Sequence, residues 1–335
     1  MPQFEKYLNG ALQGQTFTEE EMEDCISFIM SGEAKPDKTG LFLIALQKRG
    51  ETAQEIAGAA KALRKFASTI AAPEGTIDCC GTGGDGTHTY NISTAVALVA
   101  AACGAKIAKH GNRASSSKSG AADVLEKLGV NLSPNKDQLE SALSNIGFCF
   151  LMAPNHHAAM KHVAPVRKLI ATRTIFNLLG PLANPAGAKK QLIGVYAKKW
   201  VMPMAQALKS LGADKALTVH GEDGLDEITL TATTDAALLM DDNVTHMTLS
   251  PEQFGLPRTT PAKLVGGDAD FNAAALTKLL DGEKSAYRDM VLANTASVLY
   301  LHDGRELKKG VAAAQDAIDG GAANDLLERY KAHVA

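Results

Sequence analysis

Apolar and polar positions change rhythm once along the chain, near Pro73. Before that point the spacing is helical. Thr18 with Glu21 three residues on reads as a capping box, and Met22, Ile26, Ile29 and Met30 follow at helical spacing until Gly32 and Pro36 stop them. Leu41–Leu46 predicts a further helical piece closed near Gly50. Thr52 with Glu55 is a second capping box, opening a helix through Ile56, Ala59, Ala60, Leu63 and Phe66. No strand signal precedes Thr76. After Pro73, short apolar runs alternate with helical stretches. Thr76–Cys80 is a β-like run ending in glycines, Ser93–Cys103 an apolar helix closed by Gly104, and Lys106–Lys109 a short strand. Gly120–Leu128 reads as a helix stopped by Gly129, Ser133 caps another that ends at Gly147, and Phe148–Met152 is a fully apolar strand. A helical stretch around His157–Leu179 is broken by Pro181 and Pro185. Gln191–Ala197 resumes the strand pattern, Met202–Leu211 is a helix and Ala216–His220 a strand, with Glu227–Thr231 and Ala236–Met240 as an antiparallel addition. Phe271–Leu280, Tyr287–His302 and Leu307–Ile318 are alanine-rich helices.

Strands alternating with helices predict a parallel sheet covered on both faces. The fold class expected is α/β: a small N-terminal helical domain plus a larger α/β domain with a mostly parallel central sheet. The helical domain is placed at 1–72, with a returning helical segment at about 157–185. The α/β domain takes 73–156 and 186–335. Ligands of such sheets sit outside the carboxyl ends of the strands. Two loops leaving those ends, Gly81–Asp85 and His110–Ser117, hold the most unusual residues of the chain.

Composition narrows the chemistry. A net charge of −3 gives the whole molecule no electrostatic case for nucleic acid or membrane, so any anion site must be local. Cys25, Cys79, Cys80, Cys103 and Cys149 are odd in number, form no C-x-x-C pair and lie in or beside apolar runs. They read as packing residues of a protein in a reducing, cytoplasmic setting. Met1–Gly10 contains Glu5 and Lys6 and no apolar core, which predicts no secretory leader. No run approaches the roughly 20 apolar residues that span a bilayer.

Four segments carry candidate chemistry. Gly81-Thr-Gly-Gly-Asp85, followed by Gly86, leaves backbone N–H groups open to an oxygen-rich ligand and leads to a helix whose N-terminus favours anions. A tight turn with ordinary capping is the bland alternative. Lys109-His-Gly-Asn-Arg-Ala-Ser-Ser-Ser-Lys118 concentrates cations and hydroxyls, and no acid occurs between Asp85 and Asp123. That is a local polyanion site unless it is a solvated basic loop. Gly221-Glu-Asp-Gly-Leu-Asp-Glu227 sets four acids at the end of a strand, as a hard cation such as Mg²⁺ requires; alone it reads as an acidic surface turn. Asn155–Arg167 carries His156, His157, His162 and Arg167, and Arg167 can clamp a carboxylate through two parallel bonds. No H-E-x-x-H, no G-x-S-x-G elbow, no Walker lysine and no Rossmann G-x-G-x-x-G is present.

Taken in order, Gly81–Asp85, Asn91-Ile-Ser-Thr94, Lys109–Arg113 with Ser116–Gly120, Ala164-Pro-Val-Arg167, Asn177-Leu-Leu-Gly-Pro-Leu182 and His220–Glu227 resemble the anthranilate phosphoribosyltransferases over nearly the whole chain. The resemblance implies transfer of the phosphoribosyl group of phosphoribosyl pyrophosphate (PRPP) to anthranilate, in tryptophan biosynthesis. It also implies a homodimer through the helical domain. The positions matching PRPP contacts are Gly81, Gly84, Asp85, Thr89, Asn91, Ile92, Ser93, Thr94, Lys109, His110, Gly111, Asn112, Arg113, Ala114, Ser115, Ser116, Ser117 and Ala121. Ser93, Asp226 and Glu227 match Mg²⁺ positions, with two ions expected beside PRPP. Gly81, Asn112 and Arg167 match anthranilate positions, and His110 and His157 match residues lining the anthranilate path. No catalytic residue is fixed; His110 is a candidate for late proton removal. Departures from the family pattern fall at Cys79-Cys80, Thr87–Tyr90, Ala114-Ser115, Ala121 and Ala158, none of which removes a charged ligand. The competing expectations are a pyrimidine nucleoside phosphorylase of the same fold and a non-enzymatic relative that binds nucleic acid.

Overall fold

A computed structural model describes residues 2–114 and 118–335 of the chain. The expected capping boxes open helices Glu19–Met30 and Ala53–Lys65: each threonine hydroxyl accepts the N3 amide, and each N3 glutamate accepts the threonine amide. Glu55 does more than cap. Fully buried, it also accepts from the Phe17 amide at 3.0 Å and from Arg49 at 2.6 Å, which ties helix Ala53–Lys65 to the end of helix Pro36–Arg49 and to the connection that precedes Glu19–Met30. Helix Pro2–Leu12 joins this bundle through a short amphipathic stripe at Phe4, Tyr7, Leu8 and Ala11, which the sequence reading did not single out.

The sheet is seven-stranded, in the order β3-β2-β1-β4-β5-β6-β7. Its strands are β1 Ile77–Gly81, β2 Ile107–Gly111, β3 Phe148–Met152, β4 Lys190–Gly194, β5 Lys215–Gly221, β6 Thr234–Met240 and β7 Asn243–Leu249. The first five run parallel, and β6 and β7 are antiparallel. From β1 the chain moves outward to β2 and β3, then returns to β4 on the other side of β1. The topological switch point, where such sheets bind ligands, is therefore between β1 and β4. Their last residues, Gly81 and Gly194, are register partners.

Three expectations are corrected. Glu227–Thr231 is not a strand. The Ile228 amide and carbonyl bond to the Asn294 side chain of helix Ala286–Asp303, at 3.0 and 2.9 Å, so that segment needs no ladder. β6 pairs with β5 on one side and, on the other, with β7, a polar, largely exposed edge strand reached through Asp241 and Asp242, both at positive φ as a two-residue hairpin turn requires. The stretch 157–179 is not one helix. A 3-10 turn, Ala158–His162, precedes Ala164–Ile170, which ends on Ala171 at φ 48°, and Phe176–Leu182 follows with Pro181 inside it. Asn135, not Ser133, caps the helix before β3. The tail ends in a further helix, Ala322–Val334.

Two apolar cores result. One lies between the sheet and helices Ile92–Ala102 and Ala286–Asp303. The other joins the N-terminal bundle and the segment Val163–Ala183 to the opposite sheet face through helix Val201–Ser210. The joint is polar. The last carbonyls of helix Phe176–Leu182, where a helix end leaves acceptors open, take partners from elsewhere: Gly180, which also accepts the Ala183 amide, meets His110, Pro181 meets Gln191 and Leu182 meets Arg64.

Candidate active site

The ends of β1 and β4 form a floor with no side chains, and the segment carrying Asp226 lies directly on it. A methyl group at Gly194 would stand 1.5 Å from the Asp226 carbonyl oxygen, and one at Gly81 would stand 2.4 Å from Asp226 Oδ2. Gly83, in the left-handed region, donates its amide to Asp226 Oδ2 at 2.8 Å. Thr82 fastens the loop to β4: its amide donates to the Gly194 carbonyl and its hydroxyl accepts the Tyr196 amide, both at 2.9 Å. The Asp85 carboxylate accepts from the amide and hydroxyl of Thr87.

The four acids of Gly221–Glu227 divide into two roles. Glu222 accepts from the Thr233 hydroxyl, and Asp223 accepts from the hydroxyls of Thr229 and Thr231, so both build the turn itself. Asp226 and Glu227 are left to face the glycine loop. Burial holds both carboxyls above the usual carboxylate range; Asp85 adds to the effect at Asp226, and Asp226 adds to it at Glu227. Lys109 and the Ser93 amide draw Glu227 back. Lys109 is 1% exposed and donates to the Cys79 carbonyl at 2.8 Å and to Ser93 Oγ at 3.2 Å. Two carboxylates short of positive charge, beside a hydroxyl and open amides, suit a hard divalent cation. Among the described residues no three His, Cys, Asp or Glu side chains converge to chelate a metal unaided. Mg²⁺ tolerates that poverty, because it takes one or two carboxylates and completes its shell with substrate phosphates and water.

Behind this layer sits Asp78, a residue that sequence reasoning missed. It is fully buried in β1, and burial raises its carboxyl. It accepts the His110 amide at 3.2 Å and Asn184 Nδ2 at 2.8 Å. Asn184 also donates to the Ala108 carbonyl at 2.8 Å. The signal was available: a single carboxylate inside an apolar parallel strand must have buried partners. Its neighbours Cys79 and Cys80 are buried, and burial pushes the Cys79 thiol up to about 12, so neither is a nucleophile at neutral pH.

His110 leaves β2 with Nδ1 3.1 Å from the Gly180 carbonyl. Its ring lies 5.1 Å from that of His157, tilted by 57°. Among the described residues, His110 Nε2 and both His157 nitrogens are buried without hydrogen-bond partners within bonding distance. Burial lowers His110 to about 3 and His157 to about 4. Both rings are therefore neutral at pH 7, suited to accept or donate a hydrogen bond and too weak as bases to hold a proton.

The remaining expected residues are distributed unevenly. Arg167 has its guanidinium carbon 6.0 Å from the Phe176 ring centroid and, among the described residues, no carboxylate partner. Arg113 is paired with Asp123 and Glu126, at 3.0 and 2.7 Å, and so is not a free cation. Asp123 also accepts the amides of Ala114 and Gly120 at 2.9 Å, pinning both ends of the basic loop at the start of helix Ala121–Lys127. Ser115, Ser116 and Ser117 lie outside the described residues. The Asn91 side chain, just before Ile92, bonds to Asn272 and Ser119. Among the described residues the Thr94 hydroxyl is buried without a partner, and Thr89 bridges to Val265. The Asn112 side chain accepts the Arg113 amide, and its backbone carbonyl accepts the Ala122 amide at the start of helix Ala121–Lys127; Gly111 ends β2. Gly84 accepts from Arg173, a residue not singled out in the sequence.

Known proteins share this fold and family. The glycosyl transferase family, a/b domain, matches residues 74–324, and its helical bundle domain matches 5–67. Anthranilate phosphoribosyltransferase of Azospirillum brasilense is 55% identical over 94% of this chain and 88% of its own length. The crystal structure of anthranilate phosphoribosyltransferase from Thermus thermophilus superposes with a TM-score of 0.93 at 42% identity, over 98% of this chain and 99% of that one. That of Saccharomyces cerevisiae, in complex with PRPP and Mg, superposes with a TM-score of 0.91 at 30% identity, over 99% and 97%.

Proposed function

The chain belongs to the glycosyl transferase family of the anthranilate phosphoribosyltransferases, and from that premise we infer that it transfers the phosphoribosyl group of PRPP to the amine of anthranilate. The products are N-(5-phosphoribosyl)anthranilate and pyrophosphate. The observation that carries the reading is the Asp226–Glu227 segment laid over Gly81 and Gly194, with the buried Lys109 beside it. The comparisons support the transferase, not the phosphorylase or the nucleic-acid-binding alternative.

Asp226, Glu227 and Ser93 are the residues that would hold Mg²⁺. When bound, Mg²⁺ neutralises the charge that develops on the departing pyrophosphate. The Gly81–Asp85 loop receives the pyrophosphate end, with the Thr82 and Gly83 amides already spent on Gly194 and Asp226, and the Asn91–Thr94 and Lys109–Ser117 regions receive the 5′-phosphate. The bond at the anomeric carbon lengthens toward an oxocarbenium-like state as the aromatic amine attacks. That amine is neutral at pH 7, so no base is needed before attack; the proton its nitrogen sheds once the C–N bond has formed passes to solvent or to the released pyrophosphate, because both histidines are too weak as bases to hold it. Catalysis is mainly alignment and leaving-group stabilisation.

Mixing the protein with PRPP, Mg²⁺ and anthranilate should remove anthranilate fluorescence; persistence of the signal with active PRPP would refute the assignment. Arg167, without an acid partner, is assigned to the anthranilate carboxylate. Replacing it by alanine removes about 2–3 kcal/mol of charge-assisted hydrogen bonding, which is about a 30- to 150-fold rise in the anthranilate KM. The PRPP KM should stay near its original value, and an equal rise in both would remove Arg167 from that role.

The dimer is assigned to the helical domain. Leu12, Leu41 and Leu169 are 58%, 50% and 85% exposed on helices Pro2–Leu12, Pro36–Arg49 and Ala164–Ile170, which pack on one another. Burying such leucines is worth about 1.5–3 kcal/mol each. Light scattering should give twice the chain mass for the native protein and the chain mass for the Leu41→Glu/Leu169→Glu double variant. A dimeric double variant would place the interface elsewhere.

A further inference from the structure

Arg173 sits between helices Ala164–Ile170 and Phe176–Leu182, in a segment whose apolar residues, Ile175 and Phe176, belong to the core shared with the N-terminal bundle. Its side chain leaves that core and reaches the glycine loop of the α/β part. The guanidinium donates to the Gly84 carbonyl, and its carbon lies 4.3 Å from the centre of the Tyr196 ring. Tyr196 is itself fastened to the loop, its amide donating to Thr82 Oγ1 at 2.9 Å. Arg173 thus touches the loop and the residue that anchors it. Among the described residues it has no carboxylate partner, and no other side chain of the helical part bonds to residues 81–87.

The loop needs such a hold. Gly83 and Gly84 are both in the left-handed region, at φ 66° and 75°, where glycine gives the backbone little preference of its own. A trans peptide directs its carbonyl and its N–H to opposite sides. Drawing the Gly84 carbonyl to Arg173 therefore points the Asp85 N–H away from it, and that N–H has no backbone or side-chain acceptor among the described residues. Stacking on Tyr196 fixes the plane of the guanidinium, which an ammonium in its place would not reproduce.

We propose that Arg173 is a positioning residue for the pyrophosphate end of PRPP: it acts through the Gly84–Asp85 peptide and couples the helical part of the molecule to occupancy of the glycine loop. The proposal rests on the transferase reading, but one of its tests does not. In Arg173→Ala, hydrogen exchange of the amides at 82–87, followed by mass spectrometry without substrate, should be faster than in the native protein. With substrates, loss of a hydrogen bond to a charged group should raise the PRPP KM by about tenfold or more, with the anthranilate KM and the melting temperature unchanged. Arg173→Lys should recover part of the PRPP KM, because it restores a donor without the stack. Native loop exchange in Arg173→Ala would overturn the proposal even if turnover by the native protein had failed. An unchanged PRPP KM, or equal rises in both KM values, would overturn it where the native protein is active.

Discussion

Gly194→Ala is expected to abolish turnover while leaving the secondary structure in place. The added methyl would lie 1.5 Å from the Asp226 carbonyl oxygen and 2.4 Å from its carbonyl carbon. Both are backbone atoms, so no rotamer change relieves the overlap. The segment carrying Asp226 and Glu227 must lift by more than an ångström, or β4 must leave its register with β1 and β5. A misplacement of about 1 Å costs on the order of 10²-fold in rate, and here two carboxylates move together, so a loss of at least about 10³-fold in kcat is expected. Overpacking of this kind costs about 1–3 kcal/mol of stability. Gly81→Ala is the milder control. Its methyl would meet Asp226 Oδ2 at 2.4 Å, a side-chain atom that can turn aside at the cost of the Gly83 bond. Stopped assays and circular dichroism on the two variants check the order. If Gly194→Ala retained native kcat, the Asp226 segment would not be part of the site.

That floor marks the limit of what the chain discloses by pattern. Periodicity located most elements to within a few residues, because β1, β2 and β3 are short, largely apolar runs each preceded by a glycine turn and the capping boxes at Thr18 and Thr52 are local in sequence. β7 escaped because an edge strand need bury neither face, so Asn243–Leu249 carries no apolar alternation. The run after Glu227 looked like a strand because its apolar residues are buried, yet it is satisfied by Asn294, distant in sequence. The acid cluster at 222–227 was legible as a group. Which two acids are spent on the turn is decided by Thr229, Thr231 and Thr233, and only packing reveals that. Arg113 shows the same limit: a cation in an acid-free stretch of sequence meets its acids, Asp123 and Glu126, on the helix that follows the loop. Arg173 had no local signal at all, since its partners lie at 84 and 196.

Lys109→Met should cost both activity and stability, with opposite dependence on pH. The ammonium is buried, and its donors serve the Cys79 carbonyl and Ser93 Oγ. It is also the cation that draws Glu227 back toward ionisation. Methionine fills a similar volume without a donor or a charge. Removing one member of a buried charged network destabilises by about 3–5 kcal/mol, because the groups left behind have no compensation. The folded-state pKa of Glu227, already raised by burial, should rise further in the variant. A carboxyl whose folded pKa exceeds its unfolded value favours the folded state at low pH and loses that contribution as pH rises through the folded pKa. The stability deficit of Lys109→Met should therefore be smallest in acid and grow toward neutral and alkaline pH. Activity should move the other way, since a protonated carboxyl does not ligate Mg²⁺, so any residual turnover should appear only as pH is raised. Chemical denaturation and steady-state assays across the same pH series test both limbs. A uniform stability loss with an unshifted activity profile would mean that Lys109 serves its two hydrogen bonds alone and does not set the charge of the Asp226–Glu227 pair.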